Sequence, residues 1–273
     1  PIGVGDNDKC ECAVEIFASS HGDFTDCIFR DSTKTAIAIR DRSDSKFTRC
    51  TFTGNRNTSI LVLDHSTINV KECTFESDPL KYTSRFSIYL YRSSQAEILH
   101  SNFNAQIGKG LFMLSNSKAK VVNCEFKGCK GGAISVAEGS LAYVFESAFT
   151  QIGCSSIHAM KSSNAHVNKC TFANCQGNGV NFEYSTGYVL GSTFTGFDFP
   201  AIACFGSASM PIICNSHIEK CKTIAIVSRD CATPIFHFVR ITDVESHGFS
   251  ISDFSKCIIS QCFLKGVKGV PFC

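Results

Sequence analysis

Hydrophobic positions recur along this chain at one long, fixed spacing. Phe29, Phe52 and Phe75 lie 23 residues apart, as do Phe103, Phe126, Phe149 and Phe172. The column runs on through Phe194, Ile218, Ile241 and Leu264 in steps of 22, 24, 23 and 23, and a single step, Phe75 to Phe103, is 28. Other columns keep the same register. Eight residues after the anchor stands an apolar residue, from Ile37 and Ile60 to Phe249 and Phe272, with Ile88 set thirteen after Phe75 by the long step. Five before it come Phe24, Phe47, Val70, Ile98, Val121 and their successors. Two before it is Cys or Ser in every repeat but that of Val239, and nine before it is Ser in every repeat but that of Ala232. Around each column, apolar and polar residues alternate with period 2, the signature of strands with one face inward. Gly, Asn, Ser and Asp separate the runs and predict bends. Three short strands per repeat, stacked on their equivalents about 4.8 Å away, predict an all-β parallel solenoid of about eleven coils. Leucine-rich repeats are excluded by the missing Leu-x-x-Leu-x-Leu pattern, and helical repeats by the period.

No linker divides the repeats, so residues 1–273 are expected to form one domain. Residues 1–13 read as a lead-in and 76–87 as a loop carrying a five-residue insertion near Pro79 to Thr83. The last residues, Val270-Pro271-Phe272-Cys273, fall in mid-coil.

The informative positions point outward. Beside the Ile-x-Val strands they include Leu61, Leu63, Tyr89, Tyr91, Phe112 and Leu114 in three successive coils. Contiguous outward apolar groups mark partner surfaces, and this patch is expected to be one. A second apolar stripe runs through Leu99, Val122, Tyr143, Phe145, Tyr188, Ile212, Ile235 and Ile258.

Composition narrows the function classes. With Lys+Arg 26 against Asp+Glu 24 the formal charge is +2, which calls for neither nucleic acid nor an anionic membrane as partner. No apolar run approaches the ~20 residues of a membrane span. The 17 cysteines fall largely in stacked columns. Stacked side chains run parallel, which disfavours disulfides between neighbouring coils. The cysteines therefore read as small apolar filler beside the Phe column, reduced thiols suited to a cytoplasmic setting. No Cys-x-x-Cys occurs, and no two of the eight His form a metal pair. No metal and no cofactor is expected.

The aliphatic columns, the Cys-Thr-Phe and Cys-Glu-Phe stacks and the 23-residue step resemble the pectin-lyase-like superfamily of right-handed parallel β-helices. The resemblance is nearer to its non-catalytic right-handed β-helix region members, found in scaffolding, adaptor and surface proteins. It implies a right-handed coil over nearly the whole chain. It implies no chemistry, because the polygalacturonase signatures are absent: Ser246-His247-Gly248 lacks the first Gly of Gly-His-Gly, and neither Asp-Asp nor Arg-Ile-Lys occurs. Asp41 and Asp64 share a column beside Arg40 and His65. They are the nearest thing to a paired-carboxylate or calcium site, although Asp is also a common bend residue. On these grounds the chain is expected to be a non-enzymatic scaffolding rod without catalytic residues. It would pack laterally with other proteins in a multi-subunit assembly, a cytoskeletal, ciliary or flagellar lattice being one setting. The alternatives are a carbohydrate-active or carbohydrate-binding β-helix of pectate lyase or polygalacturonase type, with Tyr89 and Tyr91 as a stacking platform, and a peptide-recognising adaptor.

Overall fold

The structure is a computed structural model that describes residues 12–77 and 85–272. Every described coil contributes one strand to each of three parallel eleven-stranded sheets. Sheet A runs from Cys12–Ile16 to Phe249–Ile251, sheet B from His21–Thr25 to Ile258–Ser260, and sheet C from Ile28–Arg30 to Phe263–Val267. No helix occurs among the described residues. The pairing register is the repeat itself: Phe52 faces Phe75, and Ile60 faces Ile88 across the 28-residue step. That step leaves the ladder intact, since its strands end at Glu76 and resume at Phe86. The strands therefore take up both ends of the loop expected over 76–87, and the insertion near Pro79 to Thr83 lies outside the described residues. Likewise Cys12 and Ala13 belong to the first strand and not to a lead-in.

The interior is filled by the columns read from the sequence. Ile37, Ile60, Phe52, Phe75, Phe103 and Phe126 are wholly buried. The anchor rings stack coil on coil, with centroids 4.5–5.0 Å apart from Phe29 to Phe194, as strand spacing dictates.

Two polar columns run through this interior, and each completes backbone hydrogen bonds at a bend. In the serine column, Ser117 N–H donates to Ser140 Oγ one coil on, 3.1 Å, and Ser117 Oγ donates to Leu114 O, 2.7 Å. The Cys/Ser column does the same between sheets B and C. Cys50 N–H donates to Cys73 Sγ, 3.3 Å, and Cys73 N–H to Ser101 Oγ, 3.1 Å. Cys73 Sγ donates in turn to Lys71 O, 3.3 Å, as Ser101 Oγ does to Leu99 O, 2.9 Å. This corrects the reading of these cysteines as apolar filler. Cys and Ser exchange freely in the column because each offers one donor and one acceptor where a buried N–H needs a partner. Burial pushes the Cys73 thiol up to about 12, so it stays protonated.

Bends are tight and left-handed. Between sheets B and C a single residue, such as Arg49 or Asn123, has positive φ, and between sheets A and B two do, as in Asp41-Arg42 and Ser115-Asn116. That conformation costs a non-glycine residue about 1 kcal/mol or more. The stacked neighbour offsets it: Arg49 N–H donates to Lys71 O and Asn123 N–H to Phe145 O in the next coil.

Candidate functional site on the outer face of sheet A

Because side chains alternate along a strand, the residue after each inward Ile or Leu of sheet A points out. Coil by coil this floor column reads Ala38, Leu61, Tyr89, Phe112, Ser135, His158, Asn181, Ala203 and Val227. Ala38 and Ala203 are 0% exposed and Ser135 is 2% exposed although they face outward. The face is thus recessed between taller flanking side chains and forms a groove along the rod axis.

The groove is built in two parts. In the first, Phe86 stacks on Phe112 at 4.9 Å, Tyr89 stacks on Phe112 at 5.4 Å, and Tyr91 lies 6.1 Å from Tyr89. Such a half-buried aromatic surface suits the apolar C–H face of a sugar ring. Burial, then the neighbouring Tyr91 and Glu138, push the Tyr89 phenol up to about 12, so it remains a neutral donor.

In the second part the floor turns polar. Lys109 stands at the start of its strand, one coil before Ser135, and its Nζ donates to Ser135 Oγ at 2.6 Å. No carboxylate pairs with this amine among the described residues, and burial lowers its pKa. Beside Ser135 in the next strand, His158 makes a 3.0 Å hydrogen bond from Nε2 to Glu183 Oε2. Burial is the largest influence on His158 and pulls its pKa below 6.5; the Glu183 contact pulls it back up and the Lys109 charge pushes it down. Next along the floor, Asn181 Oδ1 is buried without a hydrogen-bond partner. A neutral imidazole, a desolvated cation with no counter-ion among the described residues and an unpartnered amide oxygen therefore share one recess, directly after an aromatic platform. Perturbed groups converging in a cleft are the usual mark of a reactive site.

The opposing influences on His158 give a two-way test. Its ring protons, followed by NMR, should titrate with a midpoint below 6.5. Removing the raising contact in Glu183→Gln should lower the midpoint further, and removing the nearby charge in Lys109→Met should raise it. Movement of either variant in the other direction would show that the three side chains do not share the recess as described.

Leu61, Leu63, Tyr89, Tyr91, Phe112 and Leu114 all lie on the sheet A face and are half-buried, not fully exposed. They adjoin the polar residues, and the sequence reading stopped where the same column ceased to be apolar. His158 was not singled out from the sequence. Leu99, Val122, Tyr143, Phe145, Tyr188, Ile212, Ile235 and Ile258 line the outer face of sheet B. The acidic pair is divided between arginines. Arg40 bonds Asp41 and Glu15, each at 2.7 Å, while Arg92 approaches Asp64 at 3.3 Å. Among the described residues no three His, Cys, Asp or Glu converge as a metal site.

The family model described as right-handed beta helix region matches residues 6–149 and 155–270. No curated protein matches the sequence. Among solved structures, the chain resembles the periplasmic alginate epimerase AlgG at 8% identity and a TM-score of 0.57, over 86% of this chain and 78% of that one. It resembles the A-module of the Azotobacter vinelandii mannuronan C-5 epimerase AlgE6 at 10% identity and a TM-score of 0.53, over 89% and 76%. A third likeness is to the catalytic domain of a GH87 α-1,3-glucanase in complex with nigerose, at 9% identity and a TM-score of 0.55, over 94% of this chain and 61% of that one. At such identities the likeness is one of fold. It nevertheless overturns the expectation of a non-enzymatic chain, which rested on missing signatures: these three β-helices are carbohydrate-active enzymes with which it shares few residues. The cytoskeletal or axonemal setting has no counterpart among these three.

Proposed function

Because the chain belongs to the right-handed β-helix region family, and its sheet A groove passes from an aromatic platform to a Lys–His–Asn recess, we propose that it is a carbohydrate-active protein. It seats an acidic polysaccharide along sheet A and abstracts a proton beside a sugar carboxylate. The observation that carries this reading is the desolvated Lys109 amine, without a carboxylate partner among the described residues, in the same recess as a neutral His158. A buried cation of this kind favours an anionic ligand.

The roles follow from the chemistry. Tyr89 and Phe112 stack sugar units on one side of the reacting one. Lys109 holds the carboxylate, and the unpartnered Asn181 Oδ1 accepts from a hydroxyl of the same unit. Neutral His158 takes the ring proton next to the carboxylate, with Glu183 orienting the imidazole and stabilising the imidazolium that forms. The electron pair left on carbon spreads into the carboxylate, where Lys109 meets the growing charge. Protonation of the opposite face by water inverts the carbon; alternatively the glycosidic oxygen on the neighbouring carbon leaves, taking its proton from the imidazolium or water, and an unsaturated end results. Hydrolysis by two flanking carboxylates is less well supported, since Glu183 is already engaged with His158. The thiol-rich interior suits a reducing compartment.

Incubation with mannuronan and polygalacturonate in D2O tests the proposal. Inversion should place deuterium at the carbon beside the carboxylate, whereas elimination should give ultraviolet absorbance from unsaturated ends. Polymers that bind but neither take up deuterium nor gain unsaturated ends would reduce the protein to a binding module.

A further inference from the structure

A second recess lies around the edge of the rod, on sheet B, and arises from an irregular pair of coils. Where most bends between sheets A and B carry two left-handed residues, as Lys161 and Ser162 do, the following coil carries one, Tyr184. The next bend swings wide through Gly206, whose φ is +91° and where a Cβ would stand 2.6 Å from the Tyr184 ring. Met210 and Pro211 then occupy the place of two strand residues. Strand Thr186–Leu190 is consequently followed by the shorter Ile212–Cys214, and the pairing starts only at Tyr188 with Ile212. Pro211 has no N–H with which to extend that ladder.

The shortfall leaves a cavity of about 300 Å³ lined by Leu141, Asn164, His166, Thr186, Tyr188 and Met210 among others. Its lining is amphipathic. His166 stands edge-on between Tyr143 and Tyr188, 4.9 Å from each, at 78° and 85°. Tyr188 is 43% exposed. Asn164 Oδ1 accepts a hydrogen bond from Thr186 Oγ1, while its amide NH2 and the His166 ring nitrogens make no hydrogen bond among the described residues. Burial lowers the His166 pKa, so the ring is a neutral donor and acceptor near pH 7. No ionic side chain lines the cavity.

We propose that this recess is a second saccharide site that takes one pyranose unit. Its C–H face would pack on Tyr188 and Met210, and its hydroxyls would meet Asn164 and His166. A sugar is the occupant that needs both kinds of wall and no counter-charge. Continuity with the groove supports the same choice. Glu183 and Thr186 are two residues of one coil, separated by the single-residue bend at Tyr184, whose ring is 51% exposed on the ridge between the two sites. The identification rests on the polysaccharide reading of the groove, but the recess is built from different residues.

The chain has six Tyr and no Trp, so tyrosine fluorescence and NMR of the tyrosine and histidine rings report binding directly. Nigerose, a neutral disaccharide, serves as the probe. It should perturb Tyr188 and His166, and Tyr188→Ala and Asn164→Ala should each weaken that binding by about tenfold or more. Both side chains are surface groups, and an unchanged melting curve would establish that the variants fold. Deuterium exchange at the groove should stay at the wild-type level in both. Nigerose that perturbs only sheet A, or that binds Tyr188→Ala as well as wild type, would overturn the proposal. So would wild-type self-association abolished by Tyr188→Ala, which would make the face a protein contact. Loss of exchange in wild type with the Tyr188 response intact would instead refute the groove reading alone.

Discussion

His158→Ala is expected to lower turnover of an acidic glycan by about 10²–10⁴-fold, the usual worth of a positioned acid–base group. Binding of the polymer should change far less, because stacking on Tyr89 and Phe112 is untouched. The opposite split is expected of Tyr89→Ala, which removes platform and leaves the base: KM should rise more than kcat falls. The pH profile separates a base from a structural residue. A base must be neutral to act, so kcat/KM should rise with pH through a midpoint below 6.5, the direction in which burial moves His158. That acid limb should follow the His158 titration in Glu183→Gln and Lys109→Met. Turnover in His158→Ala within about threefold of wild type would remove His158 from the chemistry, however well the variant folds.

The fold was legible because each coil repeats the same physical problem. An inward Ile or Phe must sit on the inward residue of the coil before it, so the columns at Ile37 and Phe29 carry the architecture openly. The serine column was visible as a pattern, but its cause was not. That cause lies in the contacts: Ser117 Oγ caps a bend at Leu114 O while its N–H reaches Ser140 a full coil on.

The site was half legible. His158 stands in the floor column of Leu61 and Tyr89, so its outward position follows from counting. What counting cannot supply is the reach of long side chains across coils. Lys109 meets a residue 26 positions on and His158 one 25 positions on, offsets that are neither the repeat nor a local turn. A search for apolar outward groups also ends at Phe112, one coil short of the change to Ser135. The missing polygalacturonase signatures were read as absence of chemistry, whereas they exclude only one way of arranging it. The recess on sheet B left a trace in the steps of 22 and 24 residues, which mark the coils whose bends shrink and swell.

Phe126→Ala is expected to destabilise the protein by about 3–5 kcal/mol, the range for emptying a buried aromatic site. Phe126 is 0% exposed and sits between Phe103 at 4.5 Å and Phe149 at 5.0 Å, nearly parallel to both. Its removal interrupts the ring column in mid-rod, and a solenoid depends on contacts between neighbouring coils. Collapse around the gap should be slight, because backbone ladders on all three sides fix the coil spacing. Glu125→Ala, one position away on the exposed side of the same strand, should cost less than about 0.5 kcal/mol. The comparison thus separates inward from outward in adjacent residues. Phe126 also supports the groove from below. A Cβ at Gly110 would stand 2.9 Å from its ring, so the strand that carries Lys109 rests against Phe126 with nothing between them. The variant should therefore lose activity at denaturant concentrations where its sheets still persist. Denaturant melts followed by circular dichroism, with activity measured alongside, test both parts. A loss of stability below about 1 kcal/mol would mean that the ring column is not the core of the rod.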